Sequence, residues 1–152
     1  GLFVNEPLAD VDRIIQRLKL GLAQFHGDES PEYCESLGHP YMKALRATSQ
    51  DQLNVEAHSF KSAQAILVDT AIGGQFGGTG KTFDWSILPD LGKPLVLAGG
   101  LDEGNVGVAI VATHPYAVDV SGGVERAGGF KDLEKMTNFV EAVHAADRSN
   151  NE

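Results

Sequence analysis

The sequence predicts an α/β fold. Six times along the chain a short, nearly continuous apolar run gives way to a segment with helical spacing, at about 25 residues per unit. Runs of that kind are what parallel strands covered on both faces look like. Glycine supplies the third observation: 18 of the 152 residues are Gly, well above an average usage of about 7%. They follow neither a collagen period nor the low complexity of a linker, so the fold needs tight turns.

Taken in order, the first strand is Leu2-Phe3-Val4, stopped at Asn5-Glu6-Pro7. A helix over about 10–20 follows, with Val11, Ile14, Ile15 and Leu18 on its apolar face. The second unit is a strand at 22–26, a loop Gly27-Asp28-Glu29, and a helix N-capped by Ser30 with Pro31 at its first position, ending near Gly38. The third pairs a strand at 41–46 with a helix over about 49–60. The fourth has a strand at 65–68, a long Gly-rich loop and a short helix around Asp84-Trp85. The fifth has a strand at 95–98 and a helix over about 103–112; the sixth, a strand at 117–120 and a helix over about 132–146.

Length and composition narrow the class. Residues 1–152 read as a single domain of ordinary size. Twelve Lys and Arg against 21 Asp and Glu give a net charge of −9, which argues against a nonspecific grip on nucleic acid or on an anionic membrane surface. No apolar run approaches the roughly 18 residues of a membrane span. The single cysteine forms no internal disulfide and no leader-like segment opens the chain, which together point to the cytoplasm. The chain opens on Gly1 inside a β-like run, from which sequence upstream is expected.

Two architectures fit these units: an open doubly wound sheet, and an eight-unit barrel with units missing, since a full barrel at this spacing needs about 200 residues. In both, chemistry sits where strands end and helices begin. The polar residues at those ends are Asn5, Gln24, His26, Arg46, Asp69, Gly99, Gly100 and Ser121.

The motifs differ in weight. The loop from Gly73 to Thr82 resembles a nucleotide-binding P-loop, but a Walker A spacing puts Gly at 75, where the chain has Gln75. It is read as a mobile loop able to fold over a ligand. Gly99-Gly100 and Ser121-Gly122-Gly123 each sit between a strand and the next helix, where exposed N–H groups bind phosphate, and two such turns on neighbouring strands make one anion pocket. Asp69 at a strand end can donate or accept a proton, or cap the loop that follows. Gln24 and His26 can hydrogen-bond a substrate, and Arg46 can pair with an anion or lie solvated. Cys34 falls mid-helix and reads as packing. The histidines show no metal-ligand spacing.

Together the strings Gln24-Phe25-His26-Gly27-Asp28-Glu29, Val68-Asp69-Thr70, Gly77-Gly78-Thr79-Gly80-Lys81-Thr82-Phe83-Asp84-Trp85, Leu97-Ala98-Gly99-Gly100-Leu101 and Val118-Asp119-Val120-Ser121-Gly122-Gly123-Val124-Glu125 resemble the phosphoribosylanthranilate isomerase family of tryptophan biosynthesis. The resemblance runs in order over essentially the whole chain. It implies a (β/α)8 TIM barrel, a phosphorylated small-molecule substrate, an Amadori-type aldose-ketose isomerisation, and no cofactor or metal. It also implies roles: Asp69 as general acid, Gln24, His26 and Arg46 toward the substrate, and Gly99, Gly100, Ser121, Gly122 and Gly123 around the 5′-phosphate. Where the family usually reads Ser-Ser-Gly, this chain has Ser121-Gly122-Gly123, which keeps the N–H donors. The family's opening strand, with the Cys that acts as general base, has no counterpart here, because Leu2-Phe3-Val4-Asn5 aligns with the third strand. The expectation is therefore an incomplete barrel of about six units, units three to eight. Such a chain is expected to be inactive by itself and prone to self-association through strand edges.

Overall fold

The computed structural model describes residues 1–47, 49–69, 85 and 88–150. Its main sheet has six parallel strands: β1 (Leu2–Phe3), β2 (Ala23–Phe25), β3 (Tyr41–Arg46), β4 (Ala65–Asp69), β5 (Leu95–Ala98) and β6 (Ala117–Val118). The order is β1-β2-β3-β4-β5-β6, each strand beside its neighbour in the chain. A doubly wound sheet reverses its order at a switch point. This one never does, so the sheet is wound in one direction, as in a barrel, and among the described residues β1 and β6 are its edges.

The helices are α1 (Leu8–Leu18), α2 (Pro31–Ser36), α3 (Gln50–Ser59), α4 (Val106–Thr113) and α5 (Leu133–Asn150). The expected start of α2 is present: Ser30 Oγ accepts from Tyr33 N at 3.2 Å with Pro31 at the first position, a cap worth about 1 kcal/mol. α4 begins three residues later than its spacing predicts. Asp102 Oδ1 takes the amides of Gly104 and Asn105, and the Asn105 side chain bonds Asp102 N and Gly100 O. Side chains that satisfy local backbone groups compete with the helix, so 103–105 form a turn. α5 runs on to Asn150, four residues past its expected end.

Two further differences concern the sheet. β6 pairs over two residues rather than four, although Asp119 N still donates to Leu97 O at 2.8 Å. After it come a 3-10 turn at Gly122–Val124 and a small antiparallel hairpin, β7 (Glu125–Arg126) and β8 (Phe130–Lys131). Gly128-Gly129, both at positive φ, make its turn. The expected helix around Asp84-Trp85 and the Gly73 to Thr82 loop lie outside the described residues, except for Trp85, which packs beside Leu88 on the cluster built around α4 and α5.

Alternation along the strands makes two surfaces. Phe3, Phe25, Tyr41, Leu45, Ile66 and Val68 face the helices and pack on Val11, Ile15, Cys34, Leu53 and Ala57. On the other side Ala44, Leu67 and Ala98 form a small cluster with Met42 and Val96. Around α4 and α5, Leu97, Leu101, Val106, Ile110, Val124 and Phe139 form another. Leu18, expected on the apolar face of α1, is exposed. It lines an open groove with Leu2, Val4 and Ile14 on the β1 side of the sheet, beyond which no described strand lies.

Candidate active site

The parallel register brings the chemistry together. Arg46 pairs with Asp69 across β3 and β4, and Asp69 pairs with Ala98 across β4 and β5. The last residue of each strand therefore lies in one row at the C-terminal rim, with Gly99 directly after it. His26 follows β2 on the same rim, and its Nε2 lies 3.7 Å from Asp69 Oδ2. That is an ion-pair distance rather than a direct hydrogen bond. Gln24 Nε2 is 3.1 Å from His26 Nδ1. With the Gln24 amide donating, Nδ1 is the acceptor and the ring proton sits on Nε2, the atom that faces Asp69.

His26, Arg46 and Asp69 line a cavity of ≈ 440 Å³, closed on its other side by the Gly27–Glu29 loop and by Gln52, Glu56 and Phe60. Gln24 stands one hydrogen bond behind them. The volume suits a small phosphorylated molecule.

Underneath lies a pair that sequence reasoning did not single out. Lys43, 3% exposed, donates from Nζ to Glu29 Oε2 at 3.2 Å, to Gly27 O at 2.6 Å, to Phe25 O at 3.2 Å and to Ala44 O at 3.1 Å. Glu29, 7% exposed, accepts from Asn5 N at 2.8 Å and Gly27 N at 2.9 Å. Asn5 Oδ1 in turn accepts from Asp28 N at 2.7 Å. The segments that follow β1 and β2 are thus tied to the middle of β3 in one buried network next to His26. Burial pushes the Glu29 carboxyl up, but the Asn5 amide, its own backbone amide and the Lys43 ammonium outweigh it, and the group is held below its ordinary 4.5. The available signal was a lysine inside a strand apolar on both faces, since Lys is almost never buried unpaired. Cys34 is fully buried and its thiol is pushed up to about 11, chiefly by burial; it is a packing residue, unreactive at neutral pH.

The two glycine turns meet at the other end of the rim. β5 and β6 are neighbours, with Val96 paired to Ala117 and Leu97 to Val118. Gly99 and Gly100 have φ of 89° and 66°, in the left-handed region that glycine enters at no steric cost. Gly123 lies so close to the first turn that a Cβ on it would stand 1.8 Å from Leu101 O. The turns therefore pack backbone to backbone. Ser121, Gly122 and Gly100 are exposed there. This pair does not line the cavity holding His26 and Asp69, and it connects to it through the Asp69 and Ala98 register.

Comparison with known proteins gives the family. Residues 1–142 match the family model for N-(5'phosphoribosyl)anthranilate (PRA) isomerase. An N-(5'-phosphoribosyl)anthranilate isomerase of Acidithiobacillus ferrooxidans is 52% identical over 143 residues, which cover 94% of this chain and 70% of that protein. The crystal structure of phosphoribosyl anthranilate isomerase from Thermotoga maritima superposes with a TM-score of 0.84 at 34% identity, covering 95% of this chain and 72% of that one. A structure of such an isomerase in complex with reduced 1-(o-carboxyphenylamino)-1-deoxyribulose 5-phosphate gives 0.80 at 33% identity, over 95% and 70% of the two chains.

Proposed function

The chain belongs to the N-(5'-phosphoribosyl)anthranilate isomerase family, and on that premise we propose how its residues divide the family's aldose-ketose isomerisation. Asp69 protonates the ribose ring oxygen of N-(5-phosphoribosyl)anthranilate. The bond from that oxygen to C1′ breaks, and the anthranilate nitrogen forms a C1′=N double bond. Loss of the C2′ proton then gives the enolamine, which takes a proton at C1′, gives up its 2′-hydroxyl proton and becomes the 2′-ketone, 1-(2-carboxyphenylamino)-1-deoxyribulose 5-phosphate. General acid catalysis of this kind contributes about 10² to 10⁴ in rate.

His26 sits beside Asp69 with its tautomer set by Gln24, and both orient the reacting sugar; Arg46 faces the anionic parts of the substrate. Gly99, Gly100, Ser121, Gly122 and Gly123 hold the 5′-phosphate with main-chain amides. Binding energy gathered there keeps the ring oxygen in reach of Asp69. The observation that supports this reading is the row Arg46, Asp69, Ala98, which sets Asp69 one strand from the first glycine turn. The step this scheme leaves open is removal of the C2′ proton. The resemblance gives it to a cysteine, and the one cysteine among residues 1–152 is the buried Cys34. We therefore expect residues 1–152 by themselves to bind ligand without turning it over, and to self-associate through the β1 and β6 edges. The reaction belongs to tryptophan biosynthesis, for which we propose the cytoplasm. Among the described residues no helix is long and apolar enough to cross a membrane.

The test is titration with the reduced product analogue. Wild type should bind it in competition with inorganic phosphate, and Gly100→Val, which forces a side chain onto φ 66°, should weaken binding by more than about tenfold. Unchanged affinity in a folded Gly100→Val variant would remove the glycine turns from the phosphate site.

A further inference from the structure

The carbonyl of Ser121 is gripped from one side. Lys131, on β8, donates from Nζ to Ser121 O at 2.9 Å and to Glu125 Oε1 at 2.7 Å. Lys135 Nζ donates to Glu125 O at 2.8 Å, and Asp132 N to Val124 O at 2.9 Å. The segment 121–125 is thereby held along its length by 131–135. In a trans peptide the C=O and the N–H that follows point in opposite directions. Fixing Ser121 O on Lys131 therefore fixes the Gly122 N–H on the far side, away from the hairpin. Gly122 also has room around it: a Cβ there would meet nothing within 4 Å, while its neighbour Gly123 is pressed against Leu101. Lys131 itself is half-exposed, so packing does not account for its place.

We propose that Lys131 is a positioning residue of the phosphate pocket, holding the Ser121–Gly122 peptide with its N–H toward the bound anion. Glu125 tethers the ammonium and takes no part in holding the anion. The inference rests on the reading of the two glycine turns as the phosphate site and names the residue that shapes one of them.

The experiment titrates the 152-residue chain with inorganic phosphate and follows the Gly122 amide by ¹⁵N NMR. Lys131→Met should weaken phosphate binding by about tenfold, the worth of one charge-assisted hydrogen bond, and displace the Gly122 signal. Lys131→Arg should keep affinity within about threefold. Glu125→Gln, which leaves the contact to Ser121 and removes a negative charge, should bind phosphate at least as tightly as wild type. A purely structural clamp would instead lose affinity with Lys131→Met and Glu125→Gln alike, in step with thermal stability, and that result overturns the inference. If Gly100→Val loses phosphate while Lys131→Met binds like wild type, the inference alone falls. If wild type takes up no phosphate, or Gly100→Val binds it as well as wild type, the phosphate reading falls and takes the inference with it.

Discussion

In the proposed site the working groups at the ends of β2, β3 and β4 are side chains, Gln24, His26, Arg46 and Asp69, whereas at the ends of β5 and β6 they are main-chain amides of Gly99, Gly100, Ser121, Gly122 and Gly123. The supports differ accordingly. The side-chain rim stands on a buried ion pair, Glu29 and Lys43, which ties the segments after β1 and β2 to β3. The glycine rim stands on the lack of Cβ atoms, with Gly123 against Leu101 O, and on the lysine contacts from the hairpin. A function that resides in a side chain depends on its chemical identity. One that resides in the backbone depends on shape, and is indifferent to chemistry so long as nothing is added. The two halves should therefore fail under opposite kinds of substitution.

The largest effect is expected from an isosteric change on the side-chain rim. In a form of the protein that turns over the substrate, Asp69→Asn should lower turnover by about 10² to 10⁴ while binding of the product analogue stays within about threefold. A variant retaining more than about a third of wild-type turnover would move the acid elsewhere and dissolve the contrast.

Next comes the support of that rim. Glu29→Gln leaves the Lys43 charge buried without its carboxylate, which should cost about 3–5 kcal/mol of stability in a urea titration. The pH dependence has a definite sign. The folded-state pKa of Glu29 lies below its unfolded value near 4.5, so its contribution is complete above about pH 4.5 and is lost as the pH falls through the depressed value. Stability of Glu29→Gln should accordingly fall less steeply with acid than that of wild type. Equal slopes would mean that the pair contributes no pH-dependent stability.

On the glycine rim a single methyl should do what an isostere does on the other. Gly123→Ala puts a carbon onto a carbonyl oxygen that belongs to another turn, and the backbone shift needed should cost about 1–3 kcal/mol together with about tenfold or more in phosphate affinity. The smallest effect is expected from Ser121→Ala, which removes chemistry and keeps the amides, so phosphate affinity should stay within about threefold. A large loss at Ser121 with a small one at Gly123 would show that this rim also works through its side chains.

Much of this was readable in advance, for reasons particular residues make clear. Asp69, His26 and Arg46 were identified because parallel strands end at one rim, so a polar residue closing an apolar run has few other places to be. The glycine pairs were identified because glycine between a strand and a helix marks backbone that must turn tightly. The Glu29 and Lys43 network was missed: the partners are fourteen residues apart, and no periodicity links a loop carboxylate to a lysine two elements later. The hairpin at 125–131 was missed as well, although Gly128-Gly129 between two short runs is a recognisable turn signal. The start of α4 was placed too early because helical spacing does not register that Asp102 and Asn105 spend their side chains on the local backbone.

By itself the sequence determined the class of fold, the order of its elements and the residue types at the strand ends, because those follow from local periodicity, caps and turn chemistry. Only the tertiary structure decided between a sheet that reverses its winding and one that does not, since both are written in the same strand and helix grammar and differ only in which strands pair. It also decided register, and register is what sets Asp69 beside Ala98, His26 within reach of Asp69, and Gly123 against Leu101. Those contacts join residues 22 to 43 positions apart in the chain, and packing the strands is what brings them within ångströms of one another.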